Sequence, residues 1–404
     1  MFRPPTADVI DVLQPMPRQV QSLRGVLWAC LIVGMVLRLG LSAVSQGSND
    51  AATWERFGHQ ISEHGLIEAY RIEDTMNHPP LPLLWAQFST HFGERARFAF
   101  VMKLPAILAD AGTILLLYSI WQKRSDARRT KLACIGMAIS PVAILVGAYH
   151  CNTDNVYAFL TLLAMHLLWS VQSFFWGGLV IAAAINVKLV PILLIPVAFS
   201  LCRNRMDALK VLAGLAFGVI PFLIFLQAPD LLLRNLLKYA PPISEWGVPY
   251  FLHSAQKELA YSDLATVILQ HYLWIGRWSI VVIAILLGIT SRIWRHWNGY
   301  ELSALVYSTM LVLAPGFGVQ YTVIVVPSLL AMSIWRSWLY GILGGLFLLL
   351  IYWAYLVPDV RPFYSSFGGE FPMPGPLFGL LAWWLLLQTM LELIPWRPNF
   401  LTED

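Results

Sequence analysis

Apolar and polar positions along this chain come in long blocks, not in the short alternation of a surface helix or strand. Apolar runs of about 17–21 residues recur, the length of a helix that crosses a hydrocarbon layer of ~30 Å. Spans are predicted near 26–44, 99–121, 132–149, 156–171, 175–187, 189–201, 209–227, 270–290, 301–317, 319–334, 337–357 and 377–394. That makes about twelve. The fifth and sixth are too short to cross fully, and Pro191 and Pro196 interrupt the sixth. The first run, Val26–Val44, carries Arg38 and follows a polar leader of more than twenty residues, which reads as a retained span and not as a signal-peptide core.

Composition agrees with this pattern: of 404 residues, 58% are hydrophobic and only 12% charged. A soluble domain carries roughly twice that charge density. The basic residues are sorted by side. Gln122–Lys131, Arg203–Lys210 and Ser291–Trp297 are short basic links, cytoplasmic by the positive-inside rule, and both termini fall on that side. The net charge of +4 therefore does not point to nucleic acid. Four cysteines (Cys30, Cys134, Cys151, Cys202) have neither framework spacing nor a CxxC, which gives no reason to expect disulfides or metal. The chain divides into a cytoplasmic segment 1–25, a transmembrane module 26–227 including the first outer loop 45–98, an outer loop 228–269, a second module 270–394 and a cytoplasmic tail 395–404.

The outer loop 45–98 holds seven acidic residues against four basic ones. Trp54, Phe57 and Ile61 recur there at helical spacing and Gly65 stops the run, which predicts an amphipathic helix lying on the membrane face. "NHPPLPLLWAQFSTHFG" follows, with two prolines setting the entry to a second helix. The stretch "VGAYHCNTDNVYAF" interrupts an apolar region at the outer end of the third span, level with Asp50. Gly318, Gln320 and Tyr321 break another apolar pair on the same side. Unpaired polar groups in hydrocarbon are costly, and three polar constellations at one level imply a single outer cavity.

Each candidate has a chemical and a structural reading. Asp50 is a general base or a helix N-cap, with Asn49 able to cap in its place. His150 and Asp154 share a face if their turn is helical, and otherwise form a solvated turn in which Asp154 caps the next span. No metal is expected; a divalent ion on His150, Asp154 and Asp50 is the alternative, with no spacing that fixes a ligand set. Asp110 suits a structural ion pair, and Lys188 either meets an anion or snorkels to the interface. Arg234 and Lys238, at i and i+4, form a cationic shelf for a lipid phosphate or an ordinary headgroup anchor.

The order of these pieces ("SND", "NHPPL", a basic link, "YHCNTDNVYAF", "NVKLVPILLIP", "APGFGVQY") resembles the C-type (GT-C) integral-membrane glycosyltransferases. It looks most similar to the branch around the dolichyl-phosphate-glucose-dependent glucosyltransferases and their bacterial relatives. The resemblance implies an all-α GT-C fold and transfer of a hexose from a polyprenyl-phosphate donor to an acceptor hydroxyl outside the cytoplasm, with inversion. It implies Asp50 as the base. Asn49, His78, His150, Asn152, Asp154, Asn155, Lys188, Arg234, Lys238, Gln320 and Tyr321 would bind substrate, and the acceptor would be a glycan, glycolipid or protein. The membrane would be a bacterial plasma membrane or, in a eukaryote, the endoplasmic reticulum.

Two other classes compete. A secondary transporter or lipid flippase predicts repeated halves and midplane polar residues; the chain shows no repeat, and its polar clusters are peripheral. A non-catalytic scaffold, or a subunit of a larger transferase, keeps the topology without the chemistry, and would tolerate alanine at Asp50 and across His150–Asn155 without loss of glycan product.

Overall fold

A computed structural model describes residues 18–237, 246–258, 263–294, 297–356 and 375–393. The fold is all-α, and no strand occurs among the described residues. Among the described residues, seven helices are long and apolar enough to cross a membrane, and an eighth span forms if Arg205–Gly218 and Ile220–Gln227, bent 52° at their junction, are taken together. The protein is an integral, multi-pass membrane protein.

The apolar segments predicted from sequence are helical, yet twelve full spans overstates the number of membrane-length helices. Phe174–Val187, Val190–Ser200, Gly299–Leu313 and Val319–Met332 are short apolar helices. Proline explains the breaks: Pro191 and Pro196 split the run after Lys188, and Pro315 and Pro327 flank or open the pieces after Leu313. Gly299–Leu313 is buried on nearly every face, so its hydrophobicity reflects a place inside the bundle and not contact with lipid.

The elements that position the site come early in the chain. Helix α1 (Arg18–Val44) leads to α2 (Asn49–His64), α3 (Leu66–Ile72) and α4 (Pro80–Thr90), which make up the loop between the first two spans. Helix α2 buries Ala51, Trp54, Phe57 and Ile61, as its periodicity predicts, and ends at Gly65 with φ +79°. It crosses α4 closely at Gly58, where an added Cβ would lie 2.6 Å from Thr90 Cγ2 and 2.7 Å from the Ala86 carbonyl. These helices share a small core with Tyr70, Met76, Leu83, Phe98 and Phe225. They pack onto the end of the bundle, with α4 touching α5 (Arg95–Lys123).

Helix α6 (Ala127–Ala138) ends before Ser140–Pro141, the chain continues as α7 (Pro141–Ile144), and a π-helical turn runs from Leu145 to His150. Cys151 then adopts a left-handed conformation (φ 68°), which stops the helix and starts α8 (Asp154–His166) in a new direction. Inside the membrane, Arg38 donates to Asp110 Oδ2 (2.6 Å) and to the carbonyls of Met137 and Ala138 at the end of α6 (2.9 and 2.7 Å). Asp110 Oδ1 accepts from Asn155 Nδ2 (2.8 Å). One buried network thus joins α1, α5, α6 and α8, and Asp110 holds the structural ion pair expected of it.

The remaining helices are α9 (Phe174–Val187), α10 (Ile195–Ser200), α11 (Arg205–Gly218), α12 (Pro229–Leu231), α13 (Gly247–Glu258), α14 (Asp263–Trp294), α15 (Gly299–Leu313), α16 (Val326–Met332), α17 (Ile334–Leu356) and α18 (Gly375–Leu393). Residues 357–374, between α17 and α18, lie outside the described residues.

Candidate functional site

The site begins with the cap on α2. Ser48, not Asp50 or Asn49, is the N-cap: its Oγ accepts from Asp50 N (3.2 Å) and donates to the His150 carbonyl (2.8 Å). That leaves the Asp50 carboxylate free in the first turn, where the helix dipole favours an anion. Asn152 Nδ2 donates to Asp50 Oδ2 at 2.8 Å. His150 Nε2 lies 3.1 Å from the same oxygen, without the angle of a hydrogen bond. Gly47 (φ +89°) lets the two strands of chain approach; a Cβ there would sit 3.1 Å from those of Ala51 and Cys151. Burial alone would raise the Asp50 carboxyl, but His150, Asn152 and His78 outweigh it and hold the group at about 2.

The turn that carries His150 and Asp154 is not helical, so the two do not share a face. His150 points to Asp50, whereas Asp154, with a fully buried side chain, accepts from Lys188 Nζ at 2.7 Å. Asp154 is therefore no solvated cap, and Lys188 does not snorkel. The lysine sits where the break after α9 leaves it, in extended backbone, with Nζ 4.3 Å from the centre of the Tyr321 ring. No group of three or more His, Cys, Asp or Glu is gathered to hold a metal among the described residues.

These groups floor a cavity of about 390 Å³ between α2, the break after α9, α14 and the loop after α15. Asp50, His78, Asn152, Lys188, Gln320 and Tyr321 line it, so three stretches far apart in sequence converge as their topology predicts. The His78 ring packs on Trp54 (centroids 4.3 Å apart), and burial, together with Lys188, drops its pKa to about 3 despite Asp50. Leu193, Ile280, Val281 and Met310 form an apolar side wall.

Other expected residues lie elsewhere. His150 and Asp154 stand behind the cavity wall, and exposed Asn49 does not line it. Asn155 is committed to Asp110 and the Ala143 carbonyl, a structural role that its place in the polar run concealed. Arg234 is not a lipid shelf beside the site: it donates to the Tyr70 carbonyl (2.9 Å) and meets Asp74 (3.3 Å), tying down the first outer loop from a π-helical turn. Lys238 lies outside the described residues.

The sequence reading missed Thr53, Asn77 and above all Arg277, which also line the cavity. Arg277 stands near the middle of α14, within the apolar stretch predicted as span 270–290, exposed and without a carboxylate partner among the described residues. A charge inside a predicted span was the signal available. The chain at this depth thus presents one cation already paired, one cation unpaired at the mouth, hydrogen-bonding side chains on the floor, and an apolar wall.

Residues 48–319, more than half of the chain, match the family model described as GPI transamidase subunit PIG-U. None of the curated proteins matches the chain. The family finding overturns the expected activity: a GPI transamidase subunit is neither a glycosyltransferase using a polyprenyl-phosphate sugar nor a transporter, and that sugar donor loses its support as a partner. The resemblance to GT-C enzymes holds at the level of a polytopic membrane protein, and not for the glucosyltransferase branch.

Proposed function

The chain belongs to the family of GPI transamidase subunit PIG-U, and from that premise we propose that it holds the lipid-linked glycan while the complex attaches proteins to GPI anchors. Of the two compartments considered, the endoplasmic reticulum membrane is the one the family supports. The observation that carries the proposal is Arg277. An intramembrane arginine is costly unless it meets an anion or a wet cavity. Here it lines the mouth of a polar cavity beside an apolar wall, without an acidic partner among the described residues.

A glycosylated phosphatidylinositol offers what this arrangement lacks. Its phosphodiester suits a planar, permanently charged guanidinium. Its acyl chains suit the wall of Leu193, Ile280, Val281 and Met310, and its sugars suit Asp50, Asn152, Asn77 and Gln320. Lys188 is already paired with Asp154, so Arg277 makes the direct contact. Asp50 accepts hydroxyl hydrogen bonds in this reading, which needs an ionised carboxylate and no proton transfer.

The test is photo-crosslinking with a GPI analogue bearing a diazirine near its phosphate, on the purified full chain in nanodiscs. Label should map to α2 and α14, and Arg277→Gln should weaken binding by about thirtyfold, the loss of ~2 kcal/mol for one charge-assisted hydrogen bond. Unchanged affinity in Arg277→Gln, or label confined to the opposite end of the bundle, would overturn the proposal.

A further inference from the structure

At the basic end of the bundle, away from Asp50, lies a second cavity of about 460 Å³. Three pieces of chain enclose it: the end of the α8 span with Trp169 and Gln172, the α10–α11 link with Ser200 and Arg203, and the last turns of α14 with Arg292. All three belong to the side that the positive-inside rule assigns to the cytoplasm.

Arg203 and Arg292 are both exposed, and neither pairs with a carboxylate among the described residues. Arg292 is held in place, since its Nη1 donates to the Cys202 carbonyl at 2.8 Å. Asp207, beside them, is buried and turned inward: its Oδ2 accepts from the backbone N–H of Arg203 (3.3 Å), and its own N–H is capped by Asn204 (2.9 Å). Its carboxylate therefore orders the link and leaves the guanidinium groups uncompensated at the cavity. On the wall, Ser291 Oγ donates to Ser200 Oγ at 2.8 Å and Ser200 Oγ to the Val197 carbonyl at 2.7 Å, so the two arginines are left as the donors for a guest. Trp169, 44% exposed, sits at the rim, where amphipathic rings favour the headgroup level.

Two guanidinium groups converging on one concavity between membrane helices, with a tryptophan at the rim, recognise a phosphate that arrives on a lipid. We propose that this cavity binds the head group of an anionic phospholipid of the cytoplasmic leaflet, clamped between Arg203 and Arg292. The phosphate would meet both arginines, and the acyl chains would run up the apolar outer face of α14, where Ile285 and Ile289 are exposed. The site is distinct from the Asp50 cavity and does not depend on what that cavity holds.

The experiment uses the purified full chain in uncharged maltoside micelles, with dioctanoyl phosphatidic acid as probe and native mass spectrometry and thermal melting as readouts. Dioctanoyl phosphatidylcholine and inorganic phosphate at equal concentration separate an anionic lipid from any lipid and from any phosphate. Phosphatidic acid should bind saturably and raise the melting temperature, and the two controls should do neither. Arg203→Gln should weaken binding by about tenfold or more, as expected for one charge-assisted contact. Arg203→Gln/Arg292→Gln should abolish it, while Lys210→Gln, an exposed cation outside the cavity, should leave it unchanged. Arg292 also holds the link through Cys202, so Arg203→Gln, whose side chain bonds to none of the described residues, carries the decision once its lipid-free melt matches wild type. Wild-type affinity in Arg203→Gln, or an equal response to phosphatidylcholine or to inorganic phosphate, would overturn the assignment.

Discussion

Replacing Lys188 by methionine removes the one cation bonded to Asp154 among the described residues while keeping most of the side-chain volume. Asp154 is fully buried, its Oδ1 takes Lys188 Nζ at 2.7 Å, and its Oδ2 has no hydrogen-bond partner among the described residues. The single change therefore strands a carboxylate where water does not reach. Breaking a buried pair in this way costs about 3–5 kcal/mol, whereas replacing both members with apolar groups is often nearly neutral. The lysine also loses its place over the Tyr321 ring, worth a further ~0.5–2 kcal/mol for a desolvated cation. The assay is equilibrium unfolding in mixed micelles against the mole fraction of dodecyl sulfate. Lys188→Met should lose about 3–5 kcal/mol, and Lys188→Met/Asp154→Leu should recover at least half of that loss. A single variant within about 1 kcal/mol of wild type, or a double variant no better than the single, would refute the reasoning, because Asp154 would then not depend on Lys188.

Three further outcomes follow from the same geometry. Gly58→Ala should destabilise the protein by about 1–3 kcal/mol in the same assay, since the new methyl meets the Ala86 carbonyl and Thr90 at the α2–α4 crossing; a neutral result would mean that the helices separate freely. Acidification should destabilise the fold from about pH 6.5 downward. His78 is held to about 3, so the unfolded chain takes up its proton first, and Asp50, held at about 2, adds to the loss below pH 4. His78→Gln should flatten the stability curve between pH 6.5 and 4, and an unchanged slope there would exclude His78 as its source. The four native cysteines are buried, so single cysteines introduced at Arg128 and at Glu63 should react with an impermeant maleimide from opposite faces of sealed microsomes. Labelling from one face would contradict the topology.

Blocks of apolar residues announced the helices, and the spacing of Trp54, Phe57, Ile61 and Gly65 drew α2 almost to the residue. Asp50, Asn152 and Gln320 were likewise legible at one level of one face, because side of membrane and depth follow from the basic links, whereas Lys188 was not read as part of that group. Partner choice was not legible. Asn155 and Asn152 look alike in the run, yet the left-handed turn at Cys151 and the start of α8 send one to Asp110 and the other to Asp50. The N-cap went to Ser48 because its hydroxyl also reaches the His150 carbonyl, 102 residues away, which no local rule contains. Arg277 escaped notice because an apolar average over the predicted span 270–290 hides its one charge. The expected chemistry failed for a related reason: a carboxylate, a polar turn and a lysine around a membrane cavity serve recognition as well as transfer, and those residues do not distinguish the two.

The central claim is that the Asp50 cavity holds a GPI lipid through Arg277. Its most direct test is the affinity of the purified chain for a GPI analogue in nanodiscs, measured for wild type and Arg277→Gln with the fold of each checked by melting. The account predicts saturable wild-type binding that falls by about thirtyfold in the variant at an unchanged melting temperature. Equal affinity in the two proteins, or no GPI binding by the wild type, would contradict it.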